Sequence, residues 1–285
     1  MKVVAGSASV SLGEKVANAL NVEFLRPHVE HFPDGEIYVR IDGQVDEDVV
    51  LIQTTYPNEK IIELFLLLDA LREMGAQKIV TVIPYFGYSR QDKIFKEGEA
   101  ISARAMVRHI ALESDYFIGM DLHSEEVLKW FDIPTIHLHA TKPIAEWLKS
   151  KGVDMVISPD KGGYKRAQYV ALEMDVEFDY LEKTRLSGTE VVIKPKNLDA
   201  DDKIVGIVDD IISTGGTIAR AAEQLREQGA SRIYAVCTHG LFIGRALENM
   251  KKVNDFAATD TIESMHSKIT VAGVLAEALK KIFYP

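Results

Sequence analysis

The chain holds a single cysteine, Cys237, among its 285 residues, so no disulfide can form within it. That residue falls in the apolar run 232–238 and reads as a core position on a strand. Long hydrophobic runs are missing too: nothing approaches the roughly 20 uninterrupted apolar residues that a membrane-spanning helix needs. Residues 1–15 pass straight into a strand-like and then a helix-like pattern without the layout of a secretory signal, which predicts a cytoplasmic protein with no membrane partner. Positive charge is also short. With 33 Lys and Arg against 43 Asp and Glu the formal charge is −10, which argues against a general nucleic-acid binder, since such proteins draw most of their affinity from cations meeting phosphates. Anionic ligands must then be held locally, by helix N-termini, a metal ion or a few placed cations.

What is present is an alternation. The length suits two domains and the 47% hydrophobic content suits real cores. Apolar runs of four to six residues precede stretches of helical period: 49–54 before 61–74, and 78–83 before 100–112. The rhythm resumes, after a helix-like 141–151, with 155–158, 163–173, 204–208, 217–227 and 233–238. This is the βαβ pattern of parallel sheets and predicts an α/β fold of doubly wound domains. The halves also resemble each other. Leu71-Arg72-Glu73-Met74-Gly75-Ala76 overlies Leu225-Arg226-Glu227-Gln228-Gly229-Ala230 at a constant offset of 154, and the match runs ungapped from 49–82 onto 203–236. Any helix–Gly–strand corner has some of this look, because Gly suits a left-handed C-cap. The shared Leu-Arg-Glu and the match at both flanking strands favour duplication into domains 1–140 and 141–285. The apolar helical face Val271, Val274, Leu275, Ala278, Leu279 and Ile282 predicts a last helix that docks back on a domain, such as the N-terminal one, or on a neighbour.

The sharpest motif lies in the second half. The buried-strand pattern 204–208 is ended by Asp209 and Asp210, and Ser213-Thr214-Gly215-Gly216-Thr217 opens a helix. Glycines let backbone N–H groups crowd round an anion, hydroxyls add donors, and the helix start completes a phosphate cup. Paired carboxylates would repel a phosphate but suit the vicinal hydroxyls of a sugar. The loop is not a P-loop, since Gly-x-x-x-x-Gly-Lys-[Ser/Thr] is absent. At the same offset the first half carries Thr55 to Glu63 without the glycines, so one copy kept the cup and the other turned to a different task.

These residues resemble the 5-phosphoribosyl diphosphate motif of type I phosphoribosyltransferases and of ribose-phosphate pyrophosphokinases. The resemblance implies that Asp209 and Asp210 take ribose hydroxyls while Ser213, Thr214, Gly215, Gly216 and Thr217 hold a 5-phosphate. Four further motifs match the pyrophosphokinases. Phe32-Pro33-Asp34-Gly35-Glu36 reads on its own as a turn presenting an aromatic face and two carboxylates, or simply as a hairpin corner. The resemblance implies that Phe32, Asp34, Gly35 and Glu36 reach ATP bound mainly by a neighbouring subunit, hence a homo-oligomer, at least a dimer. Tyr88-Ser89-Arg90-Gln91-Asp92-Lys93 follows a strand, where ligands of parallel sheets sit; by resemblance Arg90 and Gln91 touch ATP. Asp121-Leu122-His123 implies a role for His123 on Mg²⁺ or MgATP, and Asp160-Lys161-Gly162-Gly163 one for Asp160 on the metal, its paired glycines forming a diphosphate cup. Glu182-Lys183-Thr184-Arg185-Leu186-Ser187-Gly188 is similar to the family's catalytic loop, implying Lys183 as catalytic and Arg185 as its partner, also toward ribose 5-phosphate. The expected activity is diphosphoryl transfer from MgATP to ribose 5-phosphate, in a form similar to the compact archaeal-type members. Two rivals stand beside it: a phosphoribosyltransferase, and a silent regulatory subunit, which would be expected to have lost some of Lys183, Arg185, Asp209 or Asp210.

Overall fold

The computed structural model describes residues 1–185, 191–194 and 198–284, with 182–185 and 191–194 described by their backbone alone. The first stretch of chain gives β1 (Lys2–Ala5), α1 (Val10–Leu20), β2 (Phe24–Leu25), β3 (His28–His31), β4 (Ile37–Arg40) and β5 (Val49–Ile52). It continues with α2 (Glu59–Glu73), β6 (Ile79–Ile83), α3 (Ser102–Ala111), β7 (Tyr116–Met120) and β8 (Thr135–Leu138). Then come α4 (Thr141–Ser150), β9 (Met155–Ser158), α5 (Tyr164–Met174), β10 (Glu177–Tyr180), β11 (Glu182–Arg185) and β12 (Val191–Lys194). The chain ends with β13 (Ile204–Ile212), α6 (Gly216–Glu227), β14 (Arg232–Gly240), α7 (Ala246–Asn249), β15 (Asp255–Thr259), β16 (Ser267–Ile269) and α8 (Ala272–Phe283).

Two compact units result. One is Met1–His139 with Thr261–Glu263 and Val271–Pro285, and the other is Ala140–Asp260 with Ser264–Thr270. Each is built on a six-stranded sheet, ordered β2-β1-β5-β6-β7-β8 in the first and β10-β9-β13-β14-β15-β16 in the second, and every pairing in both is parallel. The order is the same in both units, each sheet winding outward in both directions from a strand near its middle. Strands β5 and β6 are buried at every residue, as continuous apolar runs must be when helices cover both faces of a sheet. On α2 the buried stripe is Leu64, Leu67, Leu68 and Leu71; on α6 it is Ile218, Ala221, Ala222 and Leu225. The two stripes stand at the offset of 154 read from the sequence, so the duplication extends to the residues that pack each helix on its sheet.

The last helix belongs to the first unit, where α8 packs against α1 through a buried face that includes Val271, Leu275, Ala278 and Leu279. The returning segment also brings Glu263 to the start of α1, where its Oε1 accepts the Leu12 N–H at 2.8 Å. A carboxylate there satisfies an otherwise unpaired donor and complements the positive end of the helix.

Two local expectations need correcting. Asp209 and Asp210 do not end their strand: β13 runs on to Ile212 because β14 extends beside it, pairing Ile211 with His239 and Ile212 with Gly240. The helix accordingly opens at Gly216 rather than Ser213. Lys183 and Arg185 stand on β11, an extended segment that pairs antiparallel with β12 (Lys183 opposite Ile193, Arg185 opposite Val191). Leu186, Ser187 and Gly188 of the same expected loop lie outside the described residues.

Candidate active site

In the second unit the carboxyl ends of β9 and β13 gather the strongest candidates. Asp209 and Asp210 lie on the projecting part of β13, held in place by short local bonds: Asp209 Oδ1 accepts the Asp210 N–H and Asp210 Oδ1 accepts the Ile211 N–H, both at 2.9 Å. Burial pushes the Asp209 carboxyl well above the usual carboxylate range, reinforced by the charge and hydrogen bond of Asp210 and opposed by the Arg166 guanidinium. Beyond them the chain turns at Gly215, whose φ of +72° is the left-handed region. A Cβ at Gly215 would stand 2.8 Å from Met250 Cε and 3.3 Å from the Ala246 carbonyl oxygen, so the turn is seated tightly on the α7 segment. Asn249 Nδ2 donates to the Thr214 carbonyl at 2.8 Å, and the Ser213 carbonyl accepts the Ile243 N–H at 3.0 Å. The loop's carbonyls are thus drawn outward. Among the described residues no protein acceptor takes the backbone N–H groups of Ser213 through Ile218, and α6 has no capping side chain. A ring of donors at a helix start, with Ser213, Thr214 and Thr217 hydroxyls among them, is a seat for a dianionic phosphate.

Beside it, Asp160 follows β9, and its Oδ1 accepts the N–H groups of Gly162 at 2.9 Å and Gly163 at 3.3 Å. Gly163 is required by close approach, since a Cβ there would collide with Ser158 Oγ. Asp160 lies near enough to Asp209 for its charge to raise that carboxyl further. The structure therefore brings Asp160, Asp209, Asp210 and residues 213–217 to one edge of one sheet. Sequence reasoning missed Arg166, one turn into α5, whose Nη1 lies 3.9 Å from Asp210 Oδ1. The available signal was its place three residues after a Gly-Gly helix start. Cys237, beneath on β14, is fully buried, and burial pushes its thiol far up, so it is inert.

In the first unit, residues 84–92 leave the carboxyl end of β6. The Gly87 N–H donates to Thr55 Oγ1 at 2.7 Å, and the Gly87 Cα lies so close to the Thr55 carbonyl that no Cβ fits. Arg90 is exposed; Gln91 is half-buried, its carboxamide oxygen accepting from Ser102 Oγ at the start of α3. What Gln91 has left to offer a ligand is its amide NH₂. On the next strand, β7 ends in Asp121-Leu122-His123. Asp121 is buried with φ +40° and receives His139 Nδ1 at 2.8 Å, while His137 Nε2 accepts the Leu122 N–H at 2.9 Å. Those bonds brace the turn and leave His123 at the surface. His137 and His139, two apart at the end of β8, escaped the sequence reading, although strand alternation places such a pair on one side. Phe32 to Glu36 forms the tip of the β3–β4 hairpin: Phe32 N–H donates to the Glu36 carbonyl and Gly35 N–H to the Phe32 carbonyl, each at 2.8 Å, with Gly35 at φ +93° and the Asp34 carboxylate taking the Glu36 N–H. Phe32 is half exposed, its ring against the edge of Tyr38. Among the described residues, no hydrogen bond or ring contact joins this tip to Arg90, Gln91 or His123.

The first unit's counterpart of the phosphate loop is built differently. Glu63, which occupies the place of Thr217, is fully buried; its two oxygens accept the Ser7 N–H and Oγ–H at 2.6 Å each, and Lys60 Nζ stands 3.1 Å away. Here α2 already begins at Glu59, so Glu63 stands in its second turn and not at a helix start.

A duplicated parallel α/β scaffold with one open phosphate loop, preceded by paired carboxylates, defines a phosphoribosyl-handling class of protein. Residues 1–112 match the family described as the N-terminal domain of ribose phosphate pyrophosphokinase, and residues 131–278 the phosphoribosyl transferase domain. The chain is 40% identical to the ribose-phosphate pyrophosphokinase of Methanopyrus kandleri, with 99% of each chain covered, and 43% identical to that of Thermococcus kodakarensis, covering 93% of this chain and 96% of the other. The crystal structure of phosphoribosylpyrophosphate synthetase from Mycobacterium smegmatis superposes with a TM-score of 0.86 at 29% identity, over 99% of this chain and 98% of that one. The chain belongs to the ribose-phosphate pyrophosphokinase family and is an enzyme of that activity, a transferase of nucleotide biosynthesis. Among the described residues no helix is long and apolar enough to cross a membrane.

Proposed function

We propose that the enzyme moves the β,γ-diphosphoryl group of ATP to the 1-hydroxyl of ribose 5-phosphate, forming 5-phosphoribosyl 1-diphosphate and releasing AMP. The observation that carries this reading is the open ring of N–H donors from Ser213 to Ile218 beside two sugar-suited carboxylates. The 5-phosphate sits in residues 213–217, and Asp209 and Asp210 accept the ribose hydroxyls, which orients the 1-oxygen for in-line approach to the β-phosphorus. One P–O bond forms there as the bond from the α,β-bridging oxygen to the β-phosphorus breaks, and the 1-hydroxyl gives up its proton. Arg90, Gln91 and His123 hold ATP, with Phe32, Asp34, Gly35 and Glu36 supplied by the hairpin of a neighbouring copy in a homo-oligomer. Lys183 and Arg185 neutralise charge on the oxygens in flight, an effect worth roughly 10³–10⁵ in rate in related phosphoryl transfers.

The residues fit Mg²⁺, a hard ion that binds one or two carboxylates together with water and substrate phosphates. Asp160, its orientation fixed by Gly162 and Gly163, offers such an oxygen, and the oxygen preference of the ion makes Asp160 a better ligand than His123, which suits a phosphate or a bound water. When bound, the ion would draw charge off the phosphate oxygens.

The test is AMP release from ATP, Mg²⁺ and ribose 5-phosphate with no nucleobase present. A phosphoribosyltransferase would give none and would instead consume 5-phosphoribosyl 1-diphosphate when a nucleobase is supplied; a silent regulatory subunit would do neither.

A further inference from the structure

Tyr88 holds a backbone conformation that few side chains take. Its φ is +66°, in the left-handed region, which a bulky L residue occupies only where its surroundings impose it. Packing does not impose it here, because the residue is 45% exposed. Three hydrogen bonds do. Just before it the Gly87 N–H donates to Thr55 Oγ1 at 2.7 Å, and just after it the Tyr88 carbonyl accepts the Gln91 N–H at 3.2 Å. The third bond belongs to the side chain, whose hydroxyl donates to Asn58 Oδ1 at 3.0 Å. Asn58 immediately precedes α2, yet its side chain makes no capping bond with that helix, so this oxygen serves Tyr88. The segment ends at Gln91, whose backbone carbonyl accepts the Ala103 N–H at 3.3 Å and whose side chain meets Ser102 Oγ, both at the start of α3. Residues 88–91 therefore form a bridge pinned to the start of α2 at one end and to the start of α3 at the other. Between the pins Ser89 is buried and Arg90 is exposed, and among the described residues the Arg90 guanidinium carries no hydrogen bond or ion pair. Where that guanidinium can reach is thus set by the backbone of the bridge.

We infer that Tyr88 and Asn58 are positioning residues for the nucleotide, their bond holding the left-handed turn that aims Arg90 and the Gln91 carboxamide at ATP. This rests on the proposed function, in which those two side chains hold ATP. Without the bond the turn relaxes toward ordinary backbone angles, only a fraction of the molecules present both side chains together, and the apparent ATP affinity falls by that fraction. The bond lies at the surface, so its loss is felt at the nucleotide and hardly in the fold.

The experiment measures AMP release by the full chain with Mg²⁺, varying ATP at saturating ribose 5-phosphate and then the reverse, in wild type, Tyr88→Phe, Asn58→Ala and the double variant. Tyr88→Phe keeps the ring and removes only the donor; Asn58→Ala reads the same bond from the acceptor side. Losing one neutral hydrogen bond corresponds to about 2- to 12-fold. Each single variant should raise the KM for ATP by that factor, with kcat and the KM for ribose 5-phosphate within about twofold of wild type. The double variant should be no worse than either single one, because the bond can be lost only once. An unchanged KM for ATP overturns the inference. So does a rise in Tyr88→Phe alone, which means that the hydroxyl touches ATP itself, and so does a double variant whose effect is the product of the two. Equal rises in both KM values with a lowered urea midpoint overturn it as well, since they report a disturbed fold. If wild type releases no AMP, the proposed function fails and takes the inference with it, a result seen before any variant is compared.

Discussion

Replacing Gly215 with alanine tests the phosphate loop most directly, because three glycines of the second unit separate strain, packing and ligand contact. Gly215 has φ +72°, and an added Cβ would meet Met250 Cε at 2.8 Å and both the Ala246 oxygen and Asn249 Cβ at 3.3 Å. A left-handed alanine costs about 1–2 kcal/mol. The methionine tip can move aside, but the backbone carbonyl and the Asn249 side chain that holds Thr214 cannot do so freely, so the loop itself must shift. A shift that breaks one charge-assisted hydrogen bond weakens ribose 5-phosphate by about 10- to 150-fold, on top of a lowered urea midpoint. Gly244→Ala is the strain control: its φ is +58° but nothing lies within 4 Å of the new Cβ, so it should lose about 1 kcal/mol and leave ribose 5-phosphate binding intact. Gly216→Ala is the contact control. It sits at the start of α6 with its nearest neighbour, Arg220 Nη1, at 3.8 Å, so the fold should be unharmed or gain about 0.5–1 kcal/mol, and any loss of affinity reports the ligand meeting the methyl group. Calorimetric titration of ribose 5-phosphate beside urea unfolding reads all three. If Gly215→Ala binds ribose 5-phosphate like wild type while losing only the stability that Gly244→Ala loses, residues 213–217 do not seat the phosphate.

Three further outcomes are expected. Because the Asp209 carboxyl is raised in the folded protein, its contribution to stability is present at low pH and is lost as pH rises through its folded value; Asp209→Asn should melt above wild type near pH 8, by about 2–4 °C per kcal/mol relieved, with the gap closing toward roughly pH 4. The same variant should bind ribose 5-phosphate worse, and a pH-independent gap in thermal scans would contradict the assignment. Glu63→Gln should lower stability by about 3 kcal/mol in urea titrations, since it strips the charge from a buried partner of Lys60 and Ser7; a loss under about 0.5 kcal/mol would mean that the pair is solvated. Lys183→Ala should cut kcat at least ~10³-fold in AMP release while ribose 5-phosphate still binds, and near-normal turnover would remove β11 from the mechanism.

The sheets, their parallel sense and the turn at Gly215 and Gly216 were legible because each rests on local pattern. Continuous apolar runs such as 49–52 and 79–83 are what doubly covered strands require, and the glycines of 215 and 216 carry their own conformational reason. Strand ends were not legible. Nothing in Asp209 or Asp210 announces that β14 continues alongside and keeps them extended; that is a property of the partner strand. Asp121 and His139 meet only because β7 and β8 are neighbours in the sheet, a contact across 18 positions that no motif encodes.

Glu63 shows how duplication produced two different sites from one scaffold. At offset 154 it takes the place of Thr217, yet the surrounding packing is preserved: Leu64, Leu67, Leu68 and Leu71 repeat as Ile218, Ala221, Ala222 and Leu225. The helix start differs, α2 beginning at Glu59 and α6 at Gly216, while the positions of the buried stripe that fixes the helix on its sheet are held. A helix N-terminus with open donors is unstable company for a core unless an anion fills it. The second unit leaves that anion to be supplied from outside. In the first unit the helix begins three positions earlier at the same offset, and Glu63 is a buried carboxylate bound by Ser7 and balanced by Lys60. On the proposed reading, the second unit keeps the sugar-phosphate seat, and the carboxyl ends of β6 and β7 in the first unit take the other substrate.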